Sequence, residues 1–156
     1  MKIRPKIVEI IATVGYVGHL PLAPGTFGSA IGLFIYFVMP SLPLAVIFLG
    51  LAGFILFSVW IAGEAEKIFA AKDPGCIVID EVAGMSVALF ALPCSVFIGV
   101  AGFVIFRLVD IFKPFPIKFL EKKCPGGIGV VIDDVIAGLM SNAAVRILLM
   151  IMNPSQ

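Results

Sequence analysis

Histidine and cysteine are scarce in this chain of 156 residues, which has one histidine, His19, and three cysteines, Cys76, Cys94 and Cys124, with no CxxC pair. That excludes a disulfide framework and a zinc site of thiolates and imidazoles, and leaves the cysteines as small apolar residues. Charge is scarce too. Asp, Glu, Lys and Arg make up 13% of the residues, against about 25% in a soluble globular protein. With 61% hydrophobic residues and a mean hydropathy of +1.17, the composition is that of an integral membrane protein. A net charge of +1 implies no nucleic-acid partner.

The length suits one domain, residues 1–156, with no internal repeat by residue identity and no low-complexity tract. At the N-terminus, basic residues precede apolar ones, but Glu9 interrupts the apolar part and prolines follow, unlike a cleavable signal. The pattern predicts an amphipathic helix over about 7–17 at the membrane surface, anchored by Lys2, Arg4 and Lys6. Five apolar blocks follow, at about 28–39, 44–63, 82–92, 95–109 and 135–152. The turns "PSLP" (40–43) and "PCS" (93–95) join the first four into two helical hairpins. The fold class is therefore an all-α polytopic membrane bundle of about five transmembrane or partly spanning helices. Only the second and fifth blocks approach the roughly 20 residues a full crossing needs. The short ones either reach partway with polar flanks or form a re-entrant arrangement.

Neither turn carries lysine or arginine, whereas the N-terminal segment, 64–81 and 107–134 carry nearly all of them. The positive-inside rule then predicts a multi-pass protein with these segments in the cytoplasm. Arg146, late in the last block, either snorkels to the outer headgroups or faces a protein partner. One consequence bears on function. "GHLPLAPGTFGSA", "IVIDEVAGM", "FRLVDIFKP" and "GGIGVVIDD" all fall on the cytoplasmic side, free to converge on one site.

Asp80 and Glu81 open the third block, Asp110 lies near the end of the fourth, and Asp133 and Asp134 open the fifth. Helix capping accounts for one acid per helix, but adjacent carboxylates in a poorly hydrated place repel. A cation relieves them, and magnesium suits a carboxylate set without histidine or cysteine. Arg107, Asp110 and Lys113, three apart, share one helix face. They form either a solvated interfacial stripe or a fork and point charge for phosphate, with Asp110 reaching the metal. The glycines Gly126, Gly127 and Gly129 make either a plain turn or an anion nest. Thr26 and Ser29 offer hydroxyls as helix caps or as ligands, and His19 is either a general acid or base or a simple hydrogen-bonding group. Nucleophile schemes are missing: Val130 stands six residues after Cys124, where a cysteine-phosphatase loop has arginine, and neither DxD nor GxSxG occurs. Metal-activated water remains.

Together "PLAPGTFGS", "IDEVAGM", "FRLVDIFKPFPI" and "GGIGVVIDDVIAG" resemble the phosphatidylglycerophosphatase A family over about residues 15–145. The resemblance implies a magnesium-dependent enzyme of the bacterial inner membrane that removes the terminal phosphate of phosphatidylglycerophosphate, with the bilayer as its surroundings and a phospholipid as its substrate. It points to Asp80, Glu81, Asp110, Asp133 and Asp134 as metal-binding and catalytic residues and to Arg107 and Lys113 on the phosphate, with Pro24, Gly25, Thr26 and the glycines at 126–129 as loop elements. Two rivals stand beside it. A small ion-coupled transporter or channel subunit also carries intramembrane acids, and a headgroup phosphotransferase acts on similar lipids, but its spaced aspartate and glycine signature is missing.

Overall fold

The computed structural model describes residues 4–39 and 42–152, apart from the side chains at 121 and 122. Every regular element among them is helical: α1 (Pro5–Ala12), a 3-10 turn (Val17–His19), α2 (Pro24–Val38), α3 (Leu44–Phe69), α4 (Ile79–Ala88), α5 (Val96–Phe112), α6 (Ile117–Lys123) and α7 (Gly127–Met152). The expected N-terminal helix is shorter than 7–17. It stops at Ala12 because Val14, Gly15 and Tyr16 all take positive φ, which an α-helix does not accommodate. Of its expected anchors, Arg4 and Lys6 are exposed, and Lys2 lies outside the described residues. So do Pro40 and Ser41 of the first expected turn.

α3 and α7, 26 residues each, are long and apolar enough to cross a membrane. In α3 only 11% of the most apolar stretch is buried, and Phe48, Leu49 and Leu56 stand well exposed. This is unlike the core helix of a soluble protein. α2, with 15 residues, is shorter. α4 has ten, about 15 Å at the helical rise, half the roughly 30 Å of a bilayer core.

α4 is nonetheless the centre of the molecule, with all of its residues buried except Glu81 and Ser86. Its largest partner is α7, then α2. Glycines set these approaches. A Cβ at Gly84 would lie 2.6 Å from the Asp134 carbonyl oxygen, and one at Gly138 would overlap the Gly84 carbonyl oxygen, so α4 and α7 touch backbone to backbone. Along α2, a Cβ at Gly28 would lie 2.9 Å from the Val78 carbonyl oxygen and one at Gly32 would lie 2.7 Å from Met85. These pairings ascend together, so α2, α4 and α7 run parallel. α5 runs back, with Gly102 beside Leu89 and Phe106 beside Gly84. The arms of the first expected hairpin diverge, because α2 packs on α4 and α5 whereas α3 packs on α1, α4 and α7.

Two apolar clusters flank the centre. One joins Val8 and Ala12 of α1 to Ile61, Ala62 and Ala65 of α3 and to Val130 and Val131. The other joins Met85, Leu89, Ile98, Phe106, Ile117, Ala137 and Val145. Several boundaries depart from the expectation, among them the start of α2 at Pro24 and the end of α3 at Phe69. α4 ends at Ala88 instead of near 92, α6 follows the prolines that were expected only to stop α5, and α7 starts eight residues before 135. The last has a packing cause. A Cβ at Gly127 would overlap the Val59 carbonyl oxygen and lie 2.9 Å from the Gly63 Cα, so helical glycine is held there by close contact with α3.

Gly127→Val is therefore expected to destabilise the fold by about 1–3 kcal/mol through overpacking, seen as a lower Tm in detergent. Gly53→Ala, at a position with nothing within 4 Å of the added Cβ, is expected to leave the Tm unchanged or raise it; equal losses at both positions would contradict this account of α7's start.

Candidate active site

The α4 and α7 contact brings three carboxylates together. Asp80 and Glu81 stand in the first turn of α4, and Asp134 is the eighth residue of α7. One oxygen from each of Asp80, Glu81 and Asp134 lies within 4.8 Å of the other two. Asp80 and Asp134 are buried, at 6% and 3% exposure. The Asp80 Oδ1 and Glu81 Oε2 atoms are buried without a hydrogen-bond partner.

α5 adds the cations. Arg107 Nη1 donates to Asp110 Oδ2 at 2.6 Å and to Ser29 Oγ at 3.4 Å, and its Nε is buried without a partner. Gly25 makes room for this pair of helices, since a Cβ there would overlap Glu81 Oε1 and lie 3.3 Å from Arg107 Nη1. Asp110 is a near neighbour of the Asp134 carboxylate. Lys113 caps α5 in the left-handed region (φ 43°) and donates to Asp133 Oδ2 at 2.6 Å. The stripe expected on one face of α5 is thus divided, with Arg107 and Asp110 at the carboxylate cluster and Lys113 turned to Asp133.

Capping accounts for none of the acids on α4 or α7. The N-cap of α4 is Val78, with no side-chain cap, and Asp133 and Asp134 lie two turns inside α7 instead of opening it. Thr26 and Ser29 are not caps either. The N-cap of α2 is Ala23, without a side-chain cap, and Ser29 Oγ donates back to the Gly25 carbonyl at 2.8 Å. The glycine turn stands apart from the cluster, because Gly127 is seven residues from Asp134, about 10 Å along the helix. Gly126 keeps a positive φ of 65°, but the Gly129 N–H already donates to the Gly126 carbonyl at 2.8 Å. This removes one donor from the expected anion nest. His19 pairs with Glu9 at 3.3 Å and stacks on Tyr16, which makes it a hydrogen-bonding group of the N-terminal segment.

Two positioning features escaped the sequence reading. Gly84 follows Asp80 by four residues and Gly138 follows Asp134 by four. That shared spacing is the signal, because residues four apart lie on one helix face. Asn142 and Arg146 are the second feature. Asn142 Nδ2 donates to the Ala88 and Phe90 carbonyls at 3.0 and 2.9 Å, and Arg146 reaches the Phe90 and Ala91 carbonyls at 3.2 and 3.1 Å. Arg146 therefore serves the end of α4.

Among the described residues, Asp80, Glu81, Asp110, Asp133 and Asp134 gather here with Arg107 and Lys113, and such an excess of carboxylates in a desolvated place requires protons or a further cation. A divalent ion fits. The donors are all oxygen, three converge, and two of their oxygens lack partners, which matches a magnesium site better than a zinc site. The unpartnered Arg107 Nε is the complementary feature, a fixed donor suited to an oxyanion.

Residues 10–149 match the family described as Phosphatidylglycerophosphatase A. Phosphatidylglycerophosphatase A of Escherichia coli (strain K12) is 38% identical over 133 residues, 84% of this chain and 77% of that protein. The Haemophilus influenzae protein of the same name is 35% identical over 140 residues, 85% of this chain and 82% of its own length. A putative phosphatidylinositol-3-phosphatase of Bacteroides thetaiotaomicron is 34% identical over 149 residues, covering 88% and 91%. No solved structure matches the chain.

Lys113→Met leaves the Asp133 carboxylate buried without its cation, and is expected to cost about 3–5 kcal/mol of stability. Adding Asp133→Asn in the same chain is expected to recover a large part of that loss. Thermal unfolding of the two single variants and the double variant completes the cycle; additive losses would mean that the pair carries no coupling.

Proposed function

The chain belongs to the phosphatidylglycerophosphatase A family, and on that premise we propose that Asp80, Glu81 and Asp134 hold magnesium while Arg107 grips the phosphate monoester of phosphatidylglycerophosphate. The reaction releases inorganic phosphate and leaves phosphatidylglycerol. The observation that carries this reading is the meeting, in one buried place, of unpartnered carboxylate oxygens with an unpartnered arginine donor.

In the hydrolysis, the oxygen of water bonds to phosphorus, the bond from phosphorus to the glycerol oxygen breaks, and that oxygen takes up a proton. Bound magnesium supplies Lewis acidity toward phosphoryl oxygen and a lowered pKa for water. The chain's own residues do the rest. Arg107 offers Nε to a phosphate oxygen, and Asp110 and Ser29 fix its guanidinium through Nη1. Holding the charged phosphate in a place already shaped for it leaves little reorganisation for the reaction itself. Lys113 and Asp133 neutralise each other beside the cluster and lock the C-terminus of α5 to α7. Lys113 is thereby a support for the site, with Arg107 the principal phosphate ligand.

On the same reading, α2, α3, α4, α5 and α7 are five spanning or partly spanning helices of alternating direction in a bacterial inner membrane. α3 and α7 cross fully, α2 and α5 nearly so, and α4 enters from the cytoplasm and stops partway. The cluster then opens to the cytoplasmic face, where the headgroup lies, while the acyl chains stay among lipids beside the exposed apolar surfaces of the helices.

The test is phosphate release from phosphatidylglycerophosphate in mixed micelles by the purified protein. Release is expected to stop on chelation and to return with magnesium; release indifferent to chelator would sink the metal reading. Asp134→Ala is expected to lower kcat by roughly a hundredfold or more in protein that still partitions into membranes. Absence of transfer to added glycerol would set hydrolysis apart from phosphotransfer. Comparing kcat/KM on phosphatidylinositol 3-phosphate would place this chain relative to its Bacteroides relative.

A further inference from the structure

Asn142 lies far from the phosphate chemistry, yet its contacts bear on it. A helix that stops partway through a bilayer leaves its last carbonyls without water to accept from, so they need partners within the protein. α4 ends in that situation. Its final N–H groups fold back locally, from Leu89 to the Met85 carbonyl and from Phe90 to Val87. The Val87, Ala88, Phe90 and Ala91 carbonyls are served from α7. Asn142 Nδ2 lies 3.4 Å from the Val87 carbonyl oxygen, 3.0 Å from that of Ala88 and 2.9 Å from that of Phe90. Asn142 Oδ1 accepts from Arg146 Nε at 2.8 Å, and Arg146 Nη2 continues to the Phe90 and Ala91 carbonyls. The orientation of the amide is fixed by chemistry, because carbonyls only accept and guanidinium only donates.

The register of these contacts connects them to the site. Asp80, Gly84 and Ala88 are spaced by four residues on α4, and Asp134, Gly138 and Asn142 are spaced by four on α7. The two helices run parallel, so three levels face one another: carboxylate by carboxylate, glycine by glycine, and carbonyl by amide. The glycine level sets how closely the helices approach, but a smooth glycine contact permits sliding along the axis. The amide level opposes sliding, since a shift of one residue, about 1.5 Å, breaks its hydrogen bonds.

We propose that Asn142, oriented by Arg146, is a positioning residue that fixes the axial register of α4 on α7 and thereby holds the Asp80 and Glu81 carboxylates at the Asp134 carboxylate. This rests on the reading of those carboxylates as a divalent-cation site. Asn142 touches neither lipid phosphate nor cation. Its effect passes through the geometry of the ligands.

The experiment compares the wild-type chain with Asn142→Leu, which keeps the volume and loses the amide, and Asn142→Gln, which keeps an amide. Binding of manganese alone, without lipid, is followed by electron paramagnetic resonance, alongside the rise in Tm with added magnesium and the separate values of kcat and KM. Asn142→Leu is expected to need about tenfold more manganese for half-saturation, the low end of the effect of groups that orient metal ligands. Its KM for lipid is expected to stay within about twofold, and Asn142→Gln to recover part of the manganese affinity. A general loss of stability would lower the Tm without moving the manganese midpoint, and an Asn142→Leu protein that binds manganese as the wild type does overturns the proposal. Should Asn142→Leu fail to fold, Arg146→Gln takes its place, with a raised midpoint in support and an unchanged one against. A wild-type protein that binds no manganese overturns the cation reading itself, an outcome distinct from equal binding by wild type and variant.

Discussion

Gly84 and Gly138 bring α4 and α7 into backbone contact, and the remaining architecture arranges itself around that contact. Without a Cβ at either position, α4 and α7 can lie close enough for Asp80, Glu81 and Asp134 to face one another. In a bilayer no hydrophobic force drives helices together, so close packing between small residues carries much of the association. α2 repeats the device on the other side of α4 with Gly25, Gly28 and Gly32. The short helix is thus clasped between two others, and its acidic first turn is held where free carboxylates would otherwise repel.

That repulsion gives the site its chemical character. Arg107 pairs with Asp110 and Lys113 with Asp133, and among the described residues no ion pair is formed to Asp80, Glu81 or Asp134. A stability-driven design would replace such groups with apolar ones, because buried charge without full compensation is costly. Here the cost is retained beside an arginine whose Nε also lacks a partner. On the reading proposed above, an exogenous cation and a phosphate would together complete the arrangement.

Much of this was legible in the sequence, and the exceptions have physical causes. The acids, Arg107 and the membrane character are visible because charge is rare in an apolar chain and each charged residue stands out. The all-helical class follows from the apolar block lengths. The sequence places the start of α7 too late because Gly126, Gly127 and Gly129 read locally as a turn, whereas a tertiary contact with Val59 and Gly63 holds Gly127 in helix. Lys113 was assigned to the helical face of α5 because its spacing fits, but it sits at the C-cap and turns away. Helix α6 lies behind two prolines that locally signal only an end. The capping role of Asn142 and Arg146 depends on α4 being short, and that length emerges only when the helices are assembled.

All of this turns on the Asp80, Glu81 and Asp134 carboxylates acting as a divalent-cation site. Crystals of the protein soaked with manganese, measured at the manganese absorption edge, address it most directly. The expected result is an anomalous peak bounded by oxygens of Asp80, Glu81 and Asp134, and lost in Asp134→Asn. A well-ordered site without that peak, or a peak held by other residues, would contradict the account.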